Sequence, residues 1–306
     1  GAAPRAAQAP QPSAPLPVDS QVRVGTLANG VRYYIRENRR PEQRAELRLV
    51  VNAGSVQERD DQRGYAHFVE HTAFNGTRHF AKNELVKYLQ SIGVRFGADL
   101  NAYTSFDETV YILPIPTDTA RIVDQAFTIL EDWAHGQTFD SAEVVAERGV
   151  VHEEWRGTKG ADDRMLQKML PVVLKDSRYA ERLPIGTERS ILAATAPRLR
   201  EFYRSWYRPD LMAVIAVGDF DAADIERKIR THFSRIPANR DGPPGTRTRI
   251  PSNQAPLVSI VSDPEATSTG VSVLFKLPKL ETSTVGDYRR DLVAQLYIQM
   301  LNGRLG

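Results

Sequence analysis

The run Gly64-Tyr65-Ala66-His67-Phe68-Val69-Glu70-His71-Thr72-Ala73-Phe74-Asn75-Gly76-Thr77 sets two imidazoles and a carboxylate into an apolar pattern of three- and four-residue spacing. That spacing predicts a helix over 64–73. Residues four apart lie one turn from each other on the same helix face, so His67 and His71 can both reach one ion. Glu70, one residue before His71, puts its carboxylate beside such an ion. Two neutral imidazoles leave a divalent ion most of its charge, enough to lower the pKa of a bound water from about 15.7 towards about 7, and Glu70 could then take the proton. A His pair on a helix is often an accident of sequence. Here Phe68, Val69, Ala73 and Phe74 predict a buried helix, in which unpartnered His and Glu would cost several kcal/mol.

A second helix, expected over 141–156, offers a further carboxylate. Glu147 and Glu154 are seven residues apart, which at about 100° per residue returns to within about 20° of one direction, with Val150 and Val151 between them. Glu153 points elsewhere. Two acids on a stripe otherwise occupied by valine are harder to explain as a solvated face than as part of a cation site. The other histidines, His79, His135, His152 and His232, lack partners at ligand spacing and read as structural or surface residues.

The 306 residues carry 40 Lys+Arg against 38 Asp+Glu, a formal charge of +2, which gives no electrostatic argument for a nucleic-acid or membrane-surface partner. With no cysteine in the chain, any metal must be held by His, Asp or Glu. No run approaches the roughly 18 apolar residues that span a bilayer. Residues 1–18, almost all Ala, Pro, Gln and Ser at first, read as a disordered tether of the kind that follows a removed export signal.

Beyond it, Val22-Arg23-Val24 and Val31-Arg32-Tyr33-Tyr34-Ile35 flank Asn29-Gly30, which predicts a hairpin. Residues 45–53 alternate as a third strand, 94–103 and 109–115 read as an antiparallel pair, and 211–217 as a buried strand. Helical spacing recurs over 82–92, 118–134, 163–174, 196–206 and 222–233. Strands grouped in pairs among helices predict an α+β fold, an antiparallel sheet packed with helices, over 19–236. Residues 237–256, with Gly242-Pro243-Pro244-Gly245, read as a linker. Strands over 257–262 and 270–277 and a helix over 287–301 read as the beginning of a second α+β domain, 257–306, too short to bury a core alone.

Four ordered blocks carry a resemblance: His67-Phe-Val-Glu-His71 with Asn75-Gly-Thr77, then Leu100-Asn-Ala-Tyr-Thr-Ser105, then Glu147-Arg-Gly-Val-Val151, then Glu153-Glu154-Trp155. Together they resemble the M16 zinc peptidases, the pitrilysin and mitochondrial-processing-peptidase family, with phrasing most like its bacterial periplasmic, PqqL-like branch. The order H-x-x-E-H is the inverzincin signature. The resemblance implies an M16/LuxS-like metallohydrolase fold and one Zn2+ per chain, with His67 and His71 as ligands and Glu70 as general base. Spacing from His71 alone favours Glu147 as third ligand; the local wording favours Glu154, with Glu147 as a catalytic-site acid behind it. It further implies that Asn101, Ala102 and Tyr103 lie on an edge strand that takes an extended peptide substrate. The expected activity is metalloendopeptidase cleavage of unfolded peptides or oligopeptides, periplasmic or otherwise exported from a bacterium. A C-terminal M16 half or a partner subunit would complete the site, without which the fragment cuts poorly. The rival readings are a non-catalytic subunit or peptide-binding scaffold of the same fold, and a metal-dependent hydrolase of non-peptide substrates on an unrelated fold.

Overall fold

A computed structural model of the chain describes residues 11–94, 101–238, 242–245 and 248–305. The chain divides into two units, Gln21–Gly270 and a second made of Gly1–Ser20 with Val271–Gly306.

In the larger unit, β1 (Val22–Thr26) and β2 (Arg32–Glu37) form the hairpin expected around Asn29-Gly30. Gly30 sits at φ +106°, a region open to glycine and costly for other residues. Strands β3 (Arg44–Val51), β4 (Asn101–Thr104), β5 (Thr109–Pro116) and β6 (Met212–Gly218) complete a six-stranded sheet in the order β1-β2-β6-β3-β5-β4. Four neighbouring pairs are antiparallel, but β2 and β6 run parallel, so the sheet is mixed where an antiparallel one was expected. The cause is topological. After β2 the chain skips one strand position to lay down β3, and β6 fills the gap much later, antiparallel to β3 and therefore parallel to β2.

Alternation fixes which face of the sheet is covered. Ala45, Leu47, Leu49 and Val51 of β3, Tyr111, Leu113 and Ile115 of β5, and Met212, Val214 and Ala216 of β6 are buried. Arg44, Glu46 and Arg48 alternate with them on the other face, where Arg48 pairs with Glu46 at 2.6 Å. Helices α1 (Tyr65–Thr72), α2 (Glu84–Ser91), α3 (Ala120–His135), α4 (Ser141–Gly157), α5 (Ala161–Val173), α6 (Glu188–Leu192), α7 (Ala196–Trp206) and α8 (Ala222–Phe233) supply the rest of the unit. All but the five-residue α6 fall on helical patterns read from the sequence. The strand expected over 94–103 appears only as β4, and residues 95–100 lie outside the described residues.

Residues 257–262 and 270–277 form no strand, contrary to expectation. Val258, Ile260, Val271, Val273, Phe275 and Leu277 are exposed. A strand exists only through its ladder, and neither segment pairs with a strand among the described residues. In the smaller unit, Pro15 makes an isolated bridge to Thr284, and α9 (Val285–Leu305) follows. No helix among the described residues is long and apolar enough to cross a membrane.

Candidate metal centre

Helix α1 is held at both ends, which fixes the directions of its polar side chains. It begins at Gly64, whose φ of +95° strains any side chain and whose approach to Gly186 would leave a Cβ a tight 3.1 Å from that residue's Cα. The buried Glu58 carboxylate accepts the N–H groups of Gly64 at 2.9 Å and Ala66 at 2.8 Å, satisfying donors that a helix start leaves orphaned. Burial pushes the Glu58 carboxyl up to about 8, opposed by those N–H groups and by Arg182. At the other end the Trp133 indole donates to the Ala73 carbonyl at 3.2 Å, and the Thr72 hydroxyl lies 2.8 Å from Gln137 Oε1. Between these anchors Tyr65, Phe68 and Val69 are buried in the core, turning His67, Glu70 and His71 towards α4 and β4.

Helix α4 starts at Asp140, whose carboxylate accepts the N–H groups of Ala142 and Glu143 at 2.8 and 3.1 Å. It brings both acids of its stripe to α1. Glu154 Oε2 lies 3.5 Å from His67 Nε2 and 3.4 Å from His71 Nε2, and the two imidazole Nε2 atoms are 3.2 Å apart. Glu147 takes a different place. Its Oε1 is 2.7 Å from His71 Nδ1, and its Oε2 accepts from Asn75 Nδ2 at 2.6 Å. Glu153 faces away and pairs with Arg156.

His67, His71 and Glu154 form a group that could hold a metal ion, the one such group among the described residues. Donor atoms bound at about 2.0–2.2 Å in tetrahedral geometry lie roughly 3.3–3.6 Å from one another, close to the 3.2–3.5 Å triangle these three atoms make. Charge agrees with distance. Two neutral imidazoles with the ionised carboxylates of Glu147 and Glu154 balance one dication, and without it two acids would crowd a half-buried cleft. The residues present therefore fit zinc.

Burial and hydrogen bonding act on the two imidazoles in opposite senses. Burial lowers both imidazoles, but at His71 the hydrogen bonds to Glu147 and Glu154 outweigh it and bring the group up to about 10. At His67 burial dominates, the charge on His71 adds to it, and the group falls to about 4. Burial alone would raise Glu147, yet its hydrogen bonds to His71 and Asn75 hold it below the ordinary value. Glu154 is lowered chiefly by its hydrogen bond to His71. Glu70 is raised by burial, with the Thr104 hydroxyl pulling the other way from 2.8 Å. Among the described residues His67 Nδ1 has no hydrogen-bond partner.

Of the residues expected to take a peptide, Ala102 and Tyr103 lie on β4, paired with Tyr111 and Val110 of β5, and the Tyr103 hydroxyl donates to Glu108. Asn101 pairs with Ile112 through its backbone, but its side chain and Leu100 lie outside the described residues. Three of the four other histidines pair with carboxylates: His79 with Asp132, His152 with Glu188 and His232 with Glu131. Sequence reasoning passed over Glu58, Thr104 and the amide of Asn75. The Asn75-Gly-Thr77 block stands out in the sequence only as part of a family phrase. No local periodicity marks any of the three: Thr104 and Asn75 act on distant segments, and Glu58 acts from outside the helix whose start it caps.

Comparison with known proteins places this geometry in a family. The profile described as Insulinase (Peptidase family M16) matches residues 33–182, and that described as Peptidase M16 inactive domain matches residues 193–305. A zinc protease PQQL-like protein of Arabidopsis thaliana is 39% identical over 92% of this chain and 30% of its own length. The probable zinc protease PqqL of Escherichia coli (strain K12) is 36% identical over 96% of this chain and 31% of its own length. The chain thus spans under a third of these relatives. The crystal structure of the first half of the periplasmic protease PqqL from Escherichia coli superposes with a TM-score of 0.73 at 40% identity, covering 78% of this chain and 51% of that one. With two profiles of one family matched in order along the chain and this fold beneath them, the chain belongs to peptidase family M16.

Proposed function

We propose that the chain carries the catalytic domain of a zinc metalloendopeptidase that hydrolyses unfolded peptides or oligopeptides. The observation that carries the reading is the convergence of His67 Nε2, His71 Nε2 and Glu154 Oε2 to within 3.2–3.5 Å of one another, with Glu70 beside them on α1. One zinc per chain, held by those three atoms, would polarise the scissile carbonyl and acidify the attacking water. Glu70, raised by burial and one residue from His71, takes a proton from that water and later gives it to the leaving amine. Glu147 does not touch the ion in this reading. Its carboxylate holds His71 by Nδ1, so that Nε2 faces the ligand triangle, and Asn75 in turn holds Glu147.

The peptide would add to β4, which pairs with β5 on one side and among the described residues has no strand on the other. Backbone groups of Asn101, Ala102 and Tyr103 are the strand this places beside the substrate. A C-terminal M16 half or a partner subunit would close the site over it. The share of the relatives' length that this chain spans supports such a complement, and the periplasmic protease among the similar structures supports an exported location.

Cleavage of a quenched peptide by the full-length protein, with and without chelator, tests the reading against Glu70→Gln. Chelation should stop cleavage and zinc restore it. The substitution should lower kcat by roughly 10²–10⁴-fold with zinc still bound. Cleavage that survives Glu70→Gln overturns the mechanism, and zinc binding with peptide binding but no cleavage points instead to a non-catalytic scaffold.

A further inference from the structure

We propose that Thr104 is a positioning residue for Glu70: its hydroxyl, donated to Glu70 Oε2, fixes the rotation of the carboxylate and leaves Oε1 as the oxygen that faces the reaction. This rests on the reading of Glu70 as the base.

A glutamate cannot aim itself. The terminal torsion of a Glu side chain is broad and roughly two-fold, so a carboxylate without a hydrogen bond turns through a wide range of orientations. Glu70 is buried, and its carboxylate has one hydrogen bond among the described residues, from Thr104 Oγ1 to Oε2 at 2.8 Å. The hydroxyl has a competing acceptor in Thr109 Oγ1, but at 3.5 Å, and Thr109 directs its own hydrogen to the Ala53 carbonyl at 3.0 Å. Distance and charge both send the Thr104 hydrogen to the carboxylate. Behind Glu70 the hydroxyls of Tyr111 and Tyr207 bond to each other at 2.7 Å.

The donor stands on a rigid mount. Thr104 is the last residue of β4, opposite Thr109 on β5. The turn that follows it is pinned from outside: Ser55 N–H donates to the Ser105 carbonyl at 3.1 Å and Val56 N–H to the Phe106 carbonyl at 2.9 Å. Within the turn, Ser105 N–H donates to the Glu108 carbonyl at 2.8 Å. Gly54 lies so near that a Cβ there would come 2.3 Å from the Ser105 oxygen, so this backbone approach is closed to any other residue. The strand proposed to receive the peptide therefore also carries the group that orients the base. Substrate and base are registered to one short piece of backbone.

Thr104→Val keeps the branched shape and removes the hydroxyl, whereas Thr104→Ser keeps the hydroxyl. Two measurements on the zinc-loaded protein decide the matter. In steady-state cleavage, Thr104→Val should lose roughly 10–100-fold in kcat with KM within about threefold, and Thr104→Ser should return to within about threefold of the parent. In high-resolution crystal structures, the Glu70 carboxylate should hold one orientation in the parent and in Thr104→Ser and be rotated or split in Thr104→Val. A single unchanged orientation in Thr104→Val overturns the proposal, as does an equal loss of kcat in both variants. If Glu70→Gln cleaves like the parent, the role of Glu70 as base falls, while the crystallographic comparison still judges Thr104.

Discussion

His71 is the residue on which the centre turns, because both of its ring nitrogens are engaged and by different carboxylates. Nδ1 meets Glu147 at 2.7 Å and Nε2 faces Glu154 at 3.4 Å. The two acids should therefore respond differently to neutralisation. Glu154→Gln removes a donor atom from the ligand triangle, so zinc should be lost. Glu147→Gln leaves the triangle intact and frees the imidazole to turn, so zinc affinity should fall by roughly 10–100-fold while one ion still binds at saturation. Competition against a chromophoric chelator measures both, and loss of stoichiometric zinc in Glu147→Gln alone would exchange the two roles. At this scale His67, Glu70 and His71 were legible in the sequence because their relation is one helical turn. Glu147 and Glu154 were legible as a shared stripe, although spacing and wording disagreed over which is the ligand. Thr104, Asn75 and Glu58 were not, since each acts on a residue its own segment does not contain.

Among the elements, most helices and the first hairpin could be read from periodicity and turn chemistry, both of which are local. The parallel pairing of β2 with β6 could not, because the strands are separated by most of the larger unit and nothing in either states its neighbour. One side chain ties this junction together. Glu226 of α8 accepts from Tyr33 of β2 at 2.7 Å, Arg23 of β1 at 2.9 Å and Arg230 of its own helix at 2.7 Å. The Tyr33 hydroxyl, then Arg230 and Arg23, hold its carboxyl down to about 2. A carboxyl lowered on folding stabilises the fold when ionised. Its contribution is present above the ordinary glutamate range near 4.5 and is lost as pH falls from there towards 2. Glu226→Gln should therefore lower stability at pH 7 modestly, by no more than about 1 kcal/mol for a partly exposed group screened by solvent, and the gap should close on acidification. Denaturant titrations of both proteins between pH 3 and pH 7 check this, and a gap that widens towards acid would contradict it.

At the scale of the whole molecule, a one-sided sheet presents α1 and the end of β4 together, so the candidate metal site and the last strand of the described sheet share one region of the larger unit. The exposed apolar residues over 257–280 sit in segments whose strands find no partner among the described residues. This is why the sequence pattern there reads as strand while the structure does not. Everything proposed for the chain depends on one dication joining α1 to α4. The direct measurement is anomalous diffraction above the zinc edge from crystals grown with one equivalent of zinc. The account predicts a single peak per chain within about 2.0–2.2 Å of His67 Nε2, His71 Nε2 and a Glu154 oxygen, with Glu147 still on His71 Nδ1. No peak between those side chains, or a peak ligated by Glu147 in place of Glu154, would contradict it.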